Sequence, residues 1–271
     1  MDEIEIEYHA EESLKAVDLS KAPGHWILAR MGKRVLRPGG RELTEKLVQA
    51  LNITNNDDVV EFAPGLGFTA GLVLHNNPQS YIGLERDEKA VQETRQILNA
   101  PTQQVKVGDV LKNGLENESA SIVYGEAMLT MQSDVQKKRI IREAIRLLKH
   151  GGRYGIHELC LKPDGIAEEL KKEIQYELAQ SIRVNARPLT VEEWKMLLQE
   201  AGLKVEFIHT NPMHLIKFPR MIADEGLLRT LRIAFNILSN PSALKRVLQM
   251  RGVFNRYAQH LSAIAIVAVK L

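Results

Sequence analysis

Apolar positions along the chain switch between two periods. Val59-Val60-Glu61-Phe62, Ser80 to Leu84, Val105 to Val107, Ala120 to Tyr124 and Arg153 to His157 are short runs of strand length. Between them lie Thr69 to His75, Asp87 to Leu98 and Ser133 to Leu148, which carry helical spacing. In the last of these Ile140, Ile141, Ala144, Ile145 and Leu148 share one face, and Gly151-Gly152 follow as a helix stop. Strands and helices in alternation predict an α/β fold on a mostly parallel sheet.

Both flanks read as helical. Glu11 to Leu19 and His25 to Val35 predict short helices, the second with Trp26, Ile27, Leu28, Met31 and Val35 at helical spacing. Pro38-Gly39-Gly40 break the chain before an amphipathic helix, Arg41 to Leu51. After the fifth strand come a helix over Gly165 to Val184 and another that Thr190 starts, with Glu193 completing a capping box. Lys204 to His209 and Ala263 to Val269 read as closing strands, separated by a long helical segment that breaks at Asn240-Pro241. The organisation expected is a helical cap over 1–40 and one domain over 41–271, with a helical insertion at about 211–260.

A chain of 271 residues can bury a large core, and a net charge of +2 gives no reason to expect a nucleic-acid partner. The single cysteine, Cys160, excludes an intrachain disulfide framework and fits a reducing compartment. The first ten residues are acidic, unlike a secretory signal, and no apolar run has the length of a bilayer span. The expectation is a cytoplasmic protein. The insertion changes this picture locally: eight Lys and Arg stand against Asp224 and Glu225, interleaved with Leu227, Leu228, Leu231, Ile233, Phe235, Ile237 and Leu238. A lid over a substrate, a homodimer contact and an amphipathic surface for anionic membrane are the three readings of it.

The chemistry sits after the first strand. Ala63-Pro64-Gly65-Leu66-Gly67 offers small residues for a sharp turn and close ligand approach, and the helix beyond it presents free N–H groups. Glu85 ends the second strand, where a carboxylate can accept both hydroxyls of a ribose. Gly65-x-Gly67-x-x-Ala70 also satisfies a dinucleotide fingerprint, so an NAD(P)-dependent oxidoreductase is a rival reading. Three features oppose it. Glu61 precedes the loop, where a carboxylate suits an ammonium better than a pyrophosphate. Gly108-Asp109 ends the third strand with an acceptor for an adenine amino group. The chain closes with helix-strand-strand, not a second mononucleotide-binding half.

From about Arg41 to Phe207, and again in the last strand, the sequence resembles the class I S-adenosylmethionine-dependent methyltransferases, in particular their small-molecule, quinone-biosynthesis-like branch. The motifs are Glu61-x-Ala63-x-Gly65-x-Gly67, the acid Glu85, the pair Gly108-Asp109, the run Leu147-Leu148-Lys149-His150-Gly151-Gly152-Arg153-Tyr154, and a helix with Thr190, Glu193, Trp194, Ala201 and Gly202. Ala63 stands where many members have glycine, and His150 replaces the usual proline. The resemblance implies a Rossmann-like sheet of seven strands, S-adenosylmethionine as cofactor, S-adenosylhomocysteine as product and a small-molecule acceptor. It implies that Glu61 receives the methionine ammonium, and that Ala63, Pro64, Gly65 and Gly67 line the methionine and ribose. Glu85 would hold the ribose, Asp109 the adenine amino group, and Val110 would lie against the ring. Gly125-Glu126-Ala127 would pass the methionine, although Glu126 read alone also suits a cap of the next turn.

A methyl group on a sulfonium is already activated, so alignment and exclusion of water are the main demands on the protein. A base matters only where the acceptor must lose a proton. His157 and Glu158, after the fifth strand, are the candidates, against the reading of His157 as a hydrogen-bonding residue at a strand end. Arg183 and Arg187 are candidates for an anionic acceptor, each against simple solvation. Cys160 reads as a small core residue, and no metal site is expected. A non-catalytic S-adenosylmethionine-binding protein is the remaining alternative.

Overall fold

The computed structural model describes residues 22–271. The helix expected at Glu11 to Leu19 lies outside the described residues. The first described helix, α1 (Gly24–Arg30), is followed by a turn at residues 31–32, a strap over residues 33–39 and α2 (Gly40–Leu51). The expected helix to Val35 stops early because Gly32 takes a left-handed φ of 100°. Then come β1 (Asp58–Phe62), α3 (Phe68–Leu74), β2 (Ser80–Glu85), α4 (Glu88–Arg95), β3 (Gln103–Val107), β4 (Ala120–Glu126), α5 (Asp134–Leu147) and β5 (Leu148–Leu161). The chain continues through α6 (Glu168–Ile182), β6 (Leu189–Thr190), α7 (Val191–Glu200) and β7 (Leu203–Pro212). Three helices, α8 (Phe218–Glu225), α9 (Leu227–Leu238) and α10 (Pro241–Arg256), precede β8 (Leu261–Lys270).

The sheet runs β3-β2-β1-β4-β5-β8-β7, with the two-residue β6 added beside β5, so it has eight strands where seven were expected. β1 to β5 are parallel neighbours, and β8 inserts antiparallel between β5 and β7. β5 is longer than its apolar run suggested. Its register skips from Ala120↔Leu148 to Ile122↔Arg153, so the glycine pair that stops α5 becomes an irregular first stretch of the strand.

Successive strand residues face opposite sides, and the two cores show it. Val59, Tyr124, Ala263, Ala265 and Val267 pack under α2, α3 and α4. Val60, Phe62, Ile264, Ile266 and Ala268 pack with Ile140, Ile141, Trp194 and Leu198 of α5 and α7. Thr190 and Glu193 form the expected capping box of α7. Asn240 caps α10 with Pro241 in its first turn, which is the break foreseen there.

The cap has its own core, in which Ile27, Leu28 and Met31 meet Ile216, Met221, Ile233, Ile237, Val247 and Met250. It is pinned by buried Lys33, which reaches Asp224 (3.4 Å) and Glu225 (3.5 Å). Glu225 also accepts the backbone N–H groups of Arg34 and Val35. Residues 22–35 and the insertion therefore share one core. No helix among the described residues is long and apolar enough to cross a membrane.

Candidate cofactor cleft

The sheet order changes direction between β1 and β4, where loops diverge and ligands bind at the carboxyl ends of the strands. The loop after β1 is held open there. Ala63, Gly65 and Gly67 have φ of 56°, 61° and 78°. A Cβ on Gly67 would meet Thr94 and Ile97 of the neighbouring helix segment at 3.1 Å, so this glycine admits close packing. A Cβ on Gly65 or Gly108 would meet nothing within 4 Å, so both glycines face open space. Thr94 Oγ1 donates to the Gly65 carbonyl (2.9 Å) and fixes the loop from below.

Glu85 lies across this space. Its carboxylate accepts the backbone N–H groups of Gly65 (3.0 Å), Arg86 (2.7 Å) and Asp87 (3.1 Å), which orient it. Asp109 caps the short turn Val110–Lys112 by accepting from Leu111 N (2.9 Å) and pairs with Arg86 (2.7 Å). The Leu111 N–H and then Arg86 hold the Asp109 carboxyl below its usual range. The Val110 side chain, expected against an adenine ring, is packed into the core with Val60, Phe62 and Leu84.

Glu61 does not stand in the open part of the cleft. It is 1% exposed on the α2 side of the sheet, where Tyr81 Oη donates to it (2.5 Å). The Tyr124 hydroxyl lies beside it and completes no hydrogen bond of normal geometry. Burial pushes the Glu61 carboxyl up to about 7, with Glu126 adding repulsion, against the pull of Tyr124, Tyr81 and Arg37.

Two strand residues further along the same face, Glu126 is a hub. Arg37 Nε (3.3 Å), Thr44 Oγ1 (2.7 Å), His157 Nδ1 (2.7 Å) and Thr69 Oγ1 all bond its carboxylate. Burial opposes its ionisation, but His157 and Arg37 outweigh that and hold it at about 2. Arg37 also donates to the Pro64 carbonyl (3.4 Å), so the strap ties the end of β4 to the glycine loop. His25 on α1 lies in the field of both Arg37 and Asp87. Burial and then Arg37 push its imidazole down to about 4, against Asp87.

Adjacent residues on a strand face opposite ways, and this divides the candidate base pair. His157 faces α2, is fully buried, and uses both nitrogens: Nδ1–H toward Glu126 and Nε2 accepting from Gly39 N–H (3.0 Å). Glu158 faces the other side. Its carboxylate accepts the backbone N–H groups of Met128, Leu129 and Thr130 and the Thr130 hydroxyl. Neither has a free group turned toward the cleft, because each is consumed in holding a loop. Cys160 is buried in the core, and burial pushes its thiol up to about 12.

Arg37, Thr44, Thr69 and His25 escaped the sequence reading. One signal was available: Thr44 interrupts the apolar face Leu43-Leu47-Leu51 of α2, and a hydroxyl on a buried face requires a partner.

Acids stand at Glu61 near the end of β1, at Glu85 at the end of β2 and at Asp109 just past β3, and Gly65 and Gly108 face open space beside the last two. Residues 59–152 match a family described as "Methyltransferase domain". An uncharacterised protein of Haemophilus influenzae is 32% identical over 256 residues, covering 91% of this chain and 98% of that one. Among solved structures, Haemonchus contortus phosphoethanolamine N-methyltransferase 2, in complex with phosphomonomethylethanolamine and S-adenosylhomocysteine, superposes with a TM-score of 0.66. Its identity is 14%, over 91% of this chain and 57% of that one. A geranyl diphosphate methyltransferase with geranyl diphosphate and sinefungin superposes with a TM-score of 0.60 at 13% identity, over 84% of this chain and 76% of that one. At these identities the two structures establish the fold. The chain belongs to the class I S-adenosylmethionine-dependent methyltransferases.

Proposed function

We propose that the chain transfers the methyl group of S-adenosylmethionine to a small organic acceptor bound between the strap 33–39 and the ends of β4 and β5. The single observation that carries this reading is the open space facing Gly65 and Gly108 beside oriented Glu85. Glu85 would take the ribose hydroxyls, Asp109 the adenine amino group and the loop Ala63–Gly67 the ribose and methionine. Glu61 would answer the ammonium in its ionised form. Glu126 would act one layer out, by fixing Arg37 and Thr69 at the methionine end.

The bound cofactor supplies an electrophilic methyl on a sulfonium; the chain's residues supply position and a dry roof. Neither His157 nor Glu158 is placed as a free base, so the reading favours an acceptor whose attacking atom already carries a lone pair at neutral pH. Arg183 and Arg187 remain candidates for the charged part of an anionic acceptor.

Calorimetry tests the reading. S-adenosylhomocysteine should bind and NAD should not, and Glu85→Ala should weaken S-adenosylhomocysteine at least about tenfold while the domain stays folded, the three backbone N–H groups it releases turning to water at the edge of the cleft. Tight NAD binding alone would overturn it. Binding of S-adenosylhomocysteine with no turnover across an acceptor panel would assign the chain to a non-catalytic role.

A further inference from the structure

Helices α6 and α10 pack antiparallel, and their contacts step along the seam in register. Tyr257 Oη, just past α10, donates to Glu173 (2.6 Å). Arg256 Nη1 pairs with Glu177 (2.6 Å). Further along, Ile182 and Met250 close on Gly24 of α1. A Cβ built on that glycine would meet Met250 Sδ at 2.5 Å and Ile182 Cα at 3.4 Å. The next step brings Arg183, at the end of α6, toward Arg246, one turn before Met250 on α10. There the pairing of donor with acid ends, and two guanidinium groups meet.

Arg246 is 5% exposed. Its Nη2 donates to the Ala22 carbonyl at 3.5 Å, and its Nε is buried with no hydrogen-bond partner. Arg183 is exposed, and among the described residues no acid pairs with either group. Helix α10 has no Asp or Glu, and Glu173 and Glu177 of α6 are taken by Tyr257 and Arg256. Arg187, four residues past Arg183, turns to Asp134 instead (3.9 Å). Burial and then the charge of Arg183 hold the Arg246 guanidinium below its usual range. A guanidinium nevertheless keeps its proton near neutral pH, so it cannot escape burial by neutralising as a lysine can. A buried charge without a counter-charge is costly, and a like charge beside it adds to the cost. A doubly charged oxyanion between the two forks offsets both, because each fork matches two of its oxygens.

We propose that Arg183 and Arg246 form a phosphate-binding site, with exposed Arg183 at its mouth and buried Arg246 at its inner wall. A phosphate held there joins the end of α6 to α10 beside the start of α1, so its binding stiffens the cap. The phosphate is either a free anion or the charged end of the methyl acceptor. Only the second source rests on the methyl-transfer reading.

The test is the melting temperature of the full-length protein in inorganic phosphate and in chloride at equal ionic strength, with calorimetry of phosphate binding. Phosphate should raise the melting temperature and chloride should not. Arg183→Gln should weaken phosphate binding at least about tenfold, with unchanged S-adenosylhomocysteine affinity and an unchanged melting temperature in chloride. Arg246→Met should abolish the response to phosphate while its melting temperature in chloride stays the same or rises, because it removes a buried charge and keeps an apolar stem. No phosphate effect on the wild-type protein overturns the proposal, as does a phosphate response that survives Arg183→Gln. A lower melting temperature of Arg246→Met with phosphate binding intact also overturns it, by reducing Arg246 to its contact with Ala22. With S-adenosylhomocysteine bound, tighter binding of phenyl phosphate than of inorganic phosphate supports the charged end of an acceptor as occupant, and equal binding supports the free anion. Phosphate binding without S-adenosylhomocysteine binding would strike the methyl-transfer reading and leave this site standing.

Discussion

Glu61 and Glu126 lie on the same face of adjacent strands, 1% and 3% exposed, and the surroundings drive them in opposite directions. Around Glu126, four donors converge from α2, α3, β5 and the strap, and the carboxyl is held at about 2. Around Glu61, among the described residues, one tyrosine donates and Arg37 acts only from a distance, and the carboxyl rises to about 7. Equal burial thus gives a permanently charged structural anchor in one place and a poised acid in the other. The difference is partner supply. A buried carboxylate with its full set of donors is a clamp, whereas one left short of them suits a cation that arrives with the ligand.

The largest expected effect tests the clamp. Glu126→Ala leaves Arg37, His157 and two threonine hydroxyls without their acceptor, which should cost about 3–5 kcal/mol of unfolding free energy in denaturant titrations. Because this carboxyl is depressed from 4.5, its contribution is complete above about pH 4.5 and is lost as pH falls toward 2. A loss below about 1 kcal/mol would reduce the hub to a set of independent contacts.

Glu61 should behave in the opposite way. Raised from 4.5 to about 7, it lets the folded state keep a proton that the unfolded chain has released. Its ionisation therefore lowers stability as pH rises through that window, and the cost is complete above about 7. Glu61→Gln should stabilise the ligand-free protein at pH 8 by roughly 1–3 kcal/mol. It should also weaken cofactor binding at least about tenfold and remove the rise in affinity of the wild-type protein from pH 6 to 8. A variant that binds as tightly as the wild type would take Glu61 out of the ammonium site.

The same contrast explains what the sequence disclosed. The strand-loop-helix at Val59 and the strand-end positions of Glu85 and Gly108-Asp109 were readable because each motif is local, with its residues in one stretch. The Glu126 hub was not. It joins residues 37, 44, 69, 126 and 157, brought together only by the sheet order and by the strap crossing it. His157 and Glu158 read as one pair because they are neighbours in sequence, yet the strand's twofold alternation sends them to opposite sides. The insertion was visible as basic and apolar, but which leucines face outward depended on which face the cap buries.

Ala63 sharpens the comparison on the smallest scale. Its φ of 56° lies in the left-handed region, where a Cβ crowds the following carbonyl, and an alanine there costs up to about 1–2 kcal/mol relative to its relaxed conformation. Glycine would remove that strain but bring greater freedom to the unfolded chain, worth up to about 1 kcal/mol in the other direction. Ala63→Gly should therefore stabilise the protein by less than about 1 kcal/mol, visible as a small rise in denaturation midpoint. The backbone here is already fixed from two sides, by Ala63 N–H donating to the Leu84 carbonyl (2.9 Å) and by Arg37 on the Pro64 carbonyl. Cofactor affinity should consequently stay within about twofold of the wild type. A larger gain in affinity would show that the alanine methyl, rather than the conformation of the loop, limits how closely the methionine end approaches Glu61.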